Sequence, residues 1–474
     1  MIEIKSGKGT PSSSVIAKSG IWYTLSNFLF RGIAFITTPI FARLLTKNEF
    51  GEFNNIISWM SVLFIFTSCD LYTSIIRSKL DYEDDLDSYA LSVLTLGSII
   101  TLIIFAVVFI FRDAIFTLME INLKYIYIMF LYLLTIQGYF CFITLERAKY
   151  RYKAFSIISG LAIVISSLVS VFAVIYFDNK LDARVYGWYI PYIVMGIILY
   201  FKVYKNGKEV KFEYYKYALT LSLPLVPHLL SMTILASSDK IMITKFINTE
   251  KTALYSVGYI IANIISILID SLNKAWAPWF LDNLKIGKKD IIKKLSKYYY
   301  MIFVILIVGV LLISPEIILI LGGEKYSSSI NLIPPFLVGG LFQFLYTLYV
   351  QYEFFEKKMN AVAIATGISA ASNIILNFIL IPKIGYVAAA YTTMASYFIL
   401  FIIHYWVVCK LGYKNIIDKK ILVSTIFFMM VLLLISKYLF RSVVLRYSIV
   451  AIIVVGAMYL LFKKRFLIKN FFKG

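Results

Sequence analysis

The sequence predicts an all-helical protein that crosses a membrane many times. Of its 474 residues, 60% are hydrophobic and 15% are charged, and the mean hydropathy is +0.82. Apolar runs of about 20 residues, long enough to cross the hydrocarbon core as a helix, recur along the chain. Stretches such as 96–111 and 447–462 are continuously apolar, whereas the strands of a membrane barrel alternate over about 10 residues. We expect a polytopic all-α fold of about 14 transmembrane helices.

Each predicted helix is justified by a hydrophobic segment of spanning length. In chain order these segments are 19–44, 52–76, 88–111, 123–144, 154–177, 184–203, 217–246, 252–280, 298–321, 328–352, 359–381, 385–409, 419–440 and 444–463. The first has no small-residue cleavage site, so we interpret it as a span rather than a signal peptide. Polar residues or prolines interrupt the fourth, sixth and seventh segments. Pro224 and Pro227 predict a kink in the seventh, and Pro334 and Pro335 predict one near the start of the tenth.

The basic residues predict the orientation of the chain. The formal net charge is +21, and about two thirds of the 47 lysines and arginines fall in both tails and the even-numbered connections. This asymmetry indicates that both termini are cytoplasmic. It also accounts for the basicity without nucleic acid, for which the chain offers no basic soluble module.

Residues that could support metal or nucleophilic chemistry are few. Cys69, Cys141 and Cys409 stand alone within predicted spans and lack the spacing of a metal site or a disulfide framework. His228 and His404 are the only histidines. We therefore expect no metal, no cofactor and no catalytic residue, and we interpret the protein as a transporter rather than an enzyme.

Arg31 is the first candidate for a binding residue, because it lies in the middle of an apolar segment. A cation at the centre of a bilayer is costly and normally has a polar partner, a water-filled cavity or an anionic ligand. The alternatives are an ion pair with Asp70 in the second segment, or a side chain that reaches the interface.

Lys274 is the second cation within a predicted span. It follows Asp270 by one helical turn, so the two side chains could instead form an i, i+4 ion pair. Asp239 and Lys240 interrupt the seventh segment. Together with Asp70 and Asp270, they are candidates for gating or ion coupling, and a local salt bridge is the structural alternative. The coupling ion, proton or sodium, is left open.

Several uncharged or weakly basic polar residues are weaker candidates for the wall of a cavity. We expect most of them to form hydrogen bonds within or between helices rather than to touch a ligand. These residues are Gln137, His228, Gln343, Asn373 and Asn377.

Two pairs of stretches about 200 residues apart indicate an internal repeat. Residues 41–54 compare with 243–256, and 182–192 with 385–395, at nearly the same offset. Transporters often consist of two similar halves around a central site. We expect a cytoplasmic segment at 1–18, six-helix lobes at 19–203 and 217–409 joined by a linker at 204–216, and two further helices with a basic tail at 410–474.

The stretches "SSDKIMITKFINTEKTALYSVGYIIANII" (237–265) and "SNIILNFILIPKIGYVAAAYTTMASY" (372–397) resemble signature regions of a transporter family. The opening "GIWYTLSNFLFRGIAFITTPIFARLLTKNEFGEF" has the same character. The chain is similar to the polysaccharide flippases, the Wzx-type O-antigen and capsule exporters of the multidrug/oligosaccharidyl-lipid/polysaccharide (MOP) superfamily. This resemblance spans nearly the whole sequence.

The resemblance implies two six-helix lobes around a central cavity, a location in the bacterial cytoplasmic (inner) membrane, and an undecaprenyl-diphosphate-linked glycan as substrate. It implies a polysaccharide polymerase as a partner and makes Arg31 and Lys274 candidate contacts of the diphosphate. Three alternatives stay open: a flippase of the peptidoglycan lipid precursor, a drug or cation antiporter of the same superfamily, and a membrane polymerase or ligase of glycans. The identity of the glycan is left open as well.

Overall fold

The computed structural model describes residues 33, 36–413 and 416–463, and every regular element within these ranges is helical. A helical stretch at 36–44 precedes the α-helices, which are numbered here in chain order. They are α1 (Lys47–Ser68), α2 (Ser74–Ser78), α3 (Leu86–Ile110), α4 (Arg112–Met119), α5 (Leu123–Ala148), α6 (Tyr152–Tyr176), α7 (Lys180–Asn206), α8 (Phe212–Ser222), α9 (Val226–Phe246), α10 (Thr249–Lys285), α11 (Lys289–Gly322), α12 (Ile333–Phe355), α13 (Met359–Ile384), α14 (Val387–Lys410), α15 (Lys419–Leu439) and α16 (Val443–Lys463).

Within the described ranges, eleven helical segments are long and apolar enough to cross a membrane, and the bent pair of α1 and α2 makes a possible twelfth. They correspond to the second to thirteenth predicted segments. The first predicted segment lies mostly outside the described residues, and the last contains a shorter apolar stretch at Val443–Gly456. The all-helical membrane class is confirmed, whereas the number fourteen stays a prediction.

The second predicted segment is not one continuous helix. A capping box begins α1, because Thr46 Oγ1 accepts from the Glu49 backbone and Glu49 accepts from the Thr46 backbone. The helix ends where Cys69 and Asp70 both adopt left-handed backbone angles, with φ of 43° and 53°. That conformation cannot continue a right-handed helix. The chain re-enters as α2 at an angle of 56°.

The prolines act differently in the two segments where we expected kinks. Pro224 lies in a 3-10 turn, Leu223–Leu225, which separates α8 from α9. Pro334 and Pro335 instead occupy the first turn of α12, where their missing N–H groups have no partner to lose. The prolines therefore start the α-helical part of the tenth segment, after the 3-10 helix Glu324–Leu332, instead of bending α12.

The chain divides into two compact units, Met1–Ala253 and Leu254–Gly474. In the first unit α5 packs closely against α7. A Cβ on Gly138 would lie 2.6 Å from Tyr200 Cα, and a Cβ on Gly196 would lie 2.6 Å from the Thr135 carbonyl oxygen. Small residues thus allow the two backbones to approach. The predicted lobes at 19–203 and 217–409 stay a prediction.

A polar cluster ties the start of α8 to the start of α3 at one end of the first unit. Lys211 Nζ donates to Asp85 Oδ2 at 2.6 Å, and Tyr214 Oη donates to the same oxygen at 2.6 Å. The hydrogen bond to Asp85 and a second one to Glu209 raise the pKa of Lys211 above its ordinary value. Charge pairing therefore anchors this end.

The second unit is organised around α12, which is buried along most of its length. The longest helix that lies wholly within this unit is α11, with 34 residues. Arg446 of α16 donates to both oxygens of Glu316 of α11, at 2.7 Å each, and to the Leu312 carbonyl at 2.6 Å. This bidentate contact fixes α16 against α11.

Candidate functional site

Among the described residues of the first unit, the most strongly buried cation is Arg184, in the second turn of α7. The residue is only 8% exposed. Its Nη1 donates to Ser170 Oγ of α6 at 2.6 Å. Its guanidinium carbon lies 3.6 Å from the centre of the Phe41 ring and 4.1 Å from that of Phe53. Aromatic faces attract a desolvated cation, so these contacts hold the guanidinium in place.

No carboxylate balances this charge among the described residues, where Arg184 has no acidic side chain within ion-pair distance. Outside the described ranges the sequence has one acidic residue, Glu3. Arginine keeps its proton even when buried. The first unit therefore holds a buried positive charge that is stabilised by aromatic rings and a hydroxyl group.

A cavity of about 210 Å³ lies beside this guanidinium. Arg184, Trp188 and Tyr192 line it from α7, at the i, i+4 spacing that puts side chains on one face of a helix. Asn54 of α1 and Ser167 of α6 contribute polar groups to the same wall. The cavity thus combines one cation, aromatic rings and neutral hydrogen-bonding groups.

The position of Arg184 depends on a close approach of α6 and α7. A Cβ on Gly187 would lie 2.6 Å from Ser170 Cα, so a glycine permits the contact. At this distance Ser170 Oγ donates to the Arg184 backbone carbonyl at 3.1 Å as well as accepting from its side chain. The serine therefore fixes both the backbone and the guanidinium of Arg184.

Sequence reasoning missed Arg184 as a site residue. The sixth segment was predicted to begin at residue 184, which put Arg184 at the edge of the membrane, whereas α7 begins at Lys180 and includes it in the span. A signal was present in the sequence. Trp188 and Tyr192 follow Arg184 at intervals of four residues, which puts all three side chains on one helix face.

The predicted sites occupy several separate places in the fold. Arg31 lies outside the described residues, so its diphosphate contact stays a prediction. Asp70 lies at the break between α1 and α2 rather than inside a continuous span; it is 8% exposed, and Thr73 Oγ1 donates to its Oδ2 at 2.7 Å. Ser222 Oγ donates to the Asp70 backbone carbonyl at 3.2 Å.

The charged candidates of α9 and α10 differ in exposure. Asp239 is 1% exposed and its neighbour Lys240 is half-buried. Asp270 and Lys274, one turn apart on α10, are both exposed. His228 is half-buried in the first turn of α9. Their roles in gating, coupling or substrate contact stay predictions.

The amide candidates lie on three different helices, α5, α12 and α13. Gln137 of α5 packs on Gly97 of α3, and its Nε2 is buried without a partner among the described residues. Gln343 accepts a hydrogen bond from Ser266 Oγ at 3.0 Å. Asn377 Nδ2 donates to Asn373 Oδ1 at 3.2 Å.

The two asparagines also connect α13 to α14. Asn373 Nδ2 donates to Thr393 Oγ1 at 3.5 Å, and Thr392 donates to Asn377. Both asparagines are fully buried. Among the described residues, no cluster of three or more histidine, cysteine or acidic side chains is arranged to hold a metal ion.

The fold and family follow from comparison with known proteins. A family model described as polysaccharide biosynthesis protein matches residues 16–284. The solved structure of a lipid II flippase MurJ, in an inward closed conformation, aligns with a TM-score of 0.68 and 16% identity, over 94% of this chain and 100% of that chain. An inward-facing multidrug resistance MATE family transporter of the MOP superfamily aligns with a TM-score of 0.60 and 14% identity, over 81% and 96%.

Two relatives are similar in sequence. Lsg locus putative protein 1 of Haemophilus influenzae is 29% identical in an alignment 226 residues long that covers 44% of this chain and 56% of that protein. The match therefore spans little more than half the length of that relative. An uncharacterized membrane protein of Methanocaldococcus jannaschii is 26% identical in an alignment 478 residues long that covers 92% of each chain. The chain thus belongs to the polysaccharide biosynthesis protein family and has the fold of MOP transporters, as the sequence resemblance predicted.

Proposed function

We propose that this protein is a flippase that carries a lipid-linked oligosaccharide repeat unit across the cytoplasmic membrane for the assembly of a surface polysaccharide. The observation that carries the proposal is the family match over residues 16–284 of a chain with a transporter fold. In this proposal the protein contributes to the pathway by moving an intermediate across the membrane. The absence of a balancing carboxylate beside Arg184, among the described residues, favours an anionic substrate over a cationic one.

The proposed substrate is a glycan repeat unit of O-antigen, capsule or exopolysaccharide on undecaprenyl diphosphate. The lipid tail stays in the bilayer while the glycan passes between polar surfaces that open first to one side and then to the other. In this scheme Arg31 and Lys274 offer charged hydrogen bonds to the diphosphate. Both termini face the cytoplasm, a polymerase receives the product, and a proton or sodium gradient is the candidate energy source.

The test measures the pool of lipid-linked glycans in cells that lack this protein. We expect completed repeat units on undecaprenyl diphosphate to accumulate on the inner leaflet, and expression of the intact protein to restore export. Analysis of the sugars in that pool would identify the glycan. Accumulation of the peptidoglycan precursor instead would assign the protein to that pathway. An unchanged pool with altered resistance to cationic drugs would contradict the proposal and favour an antiporter.

A further inference from the structure

The cavity beside Arg184 has the features of a ligand site, and none of the predicted site residues within the described ranges lines it. Burying a charge is expensive unless a counter-charge or several hydrogen bonds balance it. Arg184 is buried and has no carboxylate partner among the described residues. A negatively charged ligand in the adjacent cavity would supply the missing counter-charge.

Two donors at this site lack acceptors. Arg184 Nε and Trp188 Nε1 are both buried without a hydrogen-bond partner in the described part of the chain, and both residues line the cavity. Buried donors in folded proteins are nearly always paired, so an unpaired one requires an explanation. Acceptor oxygens of a ligand bound beside these residues are one such explanation.

The size and lining of the cavity restrict the ligand further. Its volume of about 210 Å³ is below the range of about 300–1,000 Å³ typical for drug-sized ligands. It has room for one sugar ring and not for a whole repeat unit. Trp188 and Tyr192 are half-buried and line the cavity, so their rings could pack against the C–H face of a pyranose. Inorganic phosphate and diphosphate have no such apolar face.

The charge of the site matches a sugar carboxylate better than the diphosphate of the lipid carrier. A diphosphate brings at least two negative charges, and Arg184 is the one cation among the described residues that line the cavity. A carboxylate brings a single charge and accepts two parallel hydrogen bonds from a guanidinium. We propose that the Arg184 cavity binds the carboxylate of an acidic sugar, with the sugar ring against Trp188 and Tyr192.

The identity of this sugar as part of the carried glycan depends on the proposed function, but binding to the cavity does not. The test uses the purified full-length protein in lipid nanodiscs and the probe sodium glucuronate. Its comparison probes are glucose and inorganic phosphate, with sodium chloride held at matched ionic strength. Thermal unfolding and tryptophan fluorescence report binding. We expect glucuronate to raise the melting temperature and change the fluorescence, with glucose and phosphate weaker by about tenfold or more.

The decisive variant is Arg184→Gln, which keeps a donor for Ser170 and removes the charge. We expect its affinity for glucuronate to fall by at least about tenfold, while the unliganded protein melts no earlier than the wild type, because an unbalanced buried charge has been removed. Lys180→Gln is the matched control: it removes a cation one turn earlier on α7, outside the lining of the cavity, and should bind as the wild type does.

A second variant keeps the test valid if Arg184→Gln does not fold. Trp188→Phe retains the ring and removes the unpaired indole donor, so glucuronate should bind several-fold more weakly while glucose is unaffected. Equal binding of glucose and glucuronate, stronger binding of phosphate, or wild-type affinity in either variant would overturn the proposal. A normal lipid-linked pool in cells without the protein would instead refute the flippase function and leave the binding result intact.

Discussion

His404 Nδ1 of α14 lies 2.6 Å from Glu353 Oε1 of α12, and neither side chain exposes any surface. The ring of Tyr346 lies 5.2 Å from the imidazole. The outer atoms of the pair, Glu353 Oε2 and His404 Nε2, have no partner among the described residues. Each member therefore depends on the other for its single side-chain hydrogen bond.

Breaking this pair should destabilise the second unit. We expect His404→Ala to lower the free energy of unfolding by about 3–5 kcal/mol, because it leaves a buried carboxylate without its partner. Replacing both residues together, Glu353→Met with His404→Leu, should cost much less. Thermal or denaturant unfolding in detergent measures the change.

The control for this experiment is Glu356→Gln, one turn beyond Glu353. Its exposed carboxylate accepts from Tyr413 Oη at 2.6 Å, and its loss should change stability by about 1 kcal/mol or less. A His404→Ala variant as stable as this control would show that the buried pair contributes little.

Arg446 should be needed to hold α16 in place. Its side chain is 2% exposed while that of Glu316 is 34% exposed, so Arg446→Ala removes three hydrogen bonds and leaves Glu316 able to reach water. We expect a loss of about 2–4 kcal/mol and faster proteolysis between α15 and α16. Glu324→Gln, at an exposed carboxylate in the same unit, is the control. Unchanged proteolysis in Arg446→Ala would contradict this role.

Gly187 should be required for the geometry around Arg184. Gly187→Ala puts a methyl group against Ser170 Cα, so α6 and α7 must separate at a cost of about 1–3 kcal/mol. The matched control is Gly309→Ala on α11, where no atom lies within 4 Å of the new Cβ and where helix propensity favours alanine by up to about 1 kcal/mol. The free energy of unfolding of both variants, compared with that of the wild type, tests this requirement. Equal stability of the two would mean that the contact at Ser170 relaxes freely.

Arg31 should be essential for export if it contacts the diphosphate. We expect Arg31→Ala to abolish export while the protein still inserts, and Arg31→Lys to restore only part of it because lysine lacks the planar fork. The lipid-linked glycan pool and surface polysaccharide are the readouts, with Arg43→Ala as a control at an exposed arginine. Normal export by Arg31→Ala would remove this residue from the mechanism.

Exchanging the charges of Asp270 and Lys274 distinguishes an ion pair from a substrate contact. If Lys274 binds the diphosphate, Lys274→Asp should abolish export and the exchanged double variant should not recover it. If the two residues only balance each other, the exchange should restore what each single variant loses. The two outcomes are separated by the same export measurement.

The sequence was sufficient to predict the class, the family and most of the spans, because an apolar run of spanning length has few alternatives in a membrane protein. It could not predict the break at Asp70, since left-handed backbone at Cys69 and Asp70 leaves no glycine or proline signal. Candidate site residues were chosen from the polar residues that lie deep within a predicted segment. Arg184 was missed because the segment was begun too late, and Glu353 because it lies two residues before the end of α12.

The helix α11 is longer than the hydrocarbon core of a membrane is thick. Its 34 residues extend about 51 Å, against a hydrocarbon core of about 30 Å. A tilt of about 54° would be needed to hide the whole helix, beyond the usual range of about 0–40°. At least about two turns must therefore lie outside the hydrocarbon core. The exposed lysines Lys289, Lys293, Lys294 and Lys297 mark one end of the helix. An amine reagent that cannot cross membranes would reach this end from one side only. Labelling of these lysines would therefore report the orientation of the protein in the membrane.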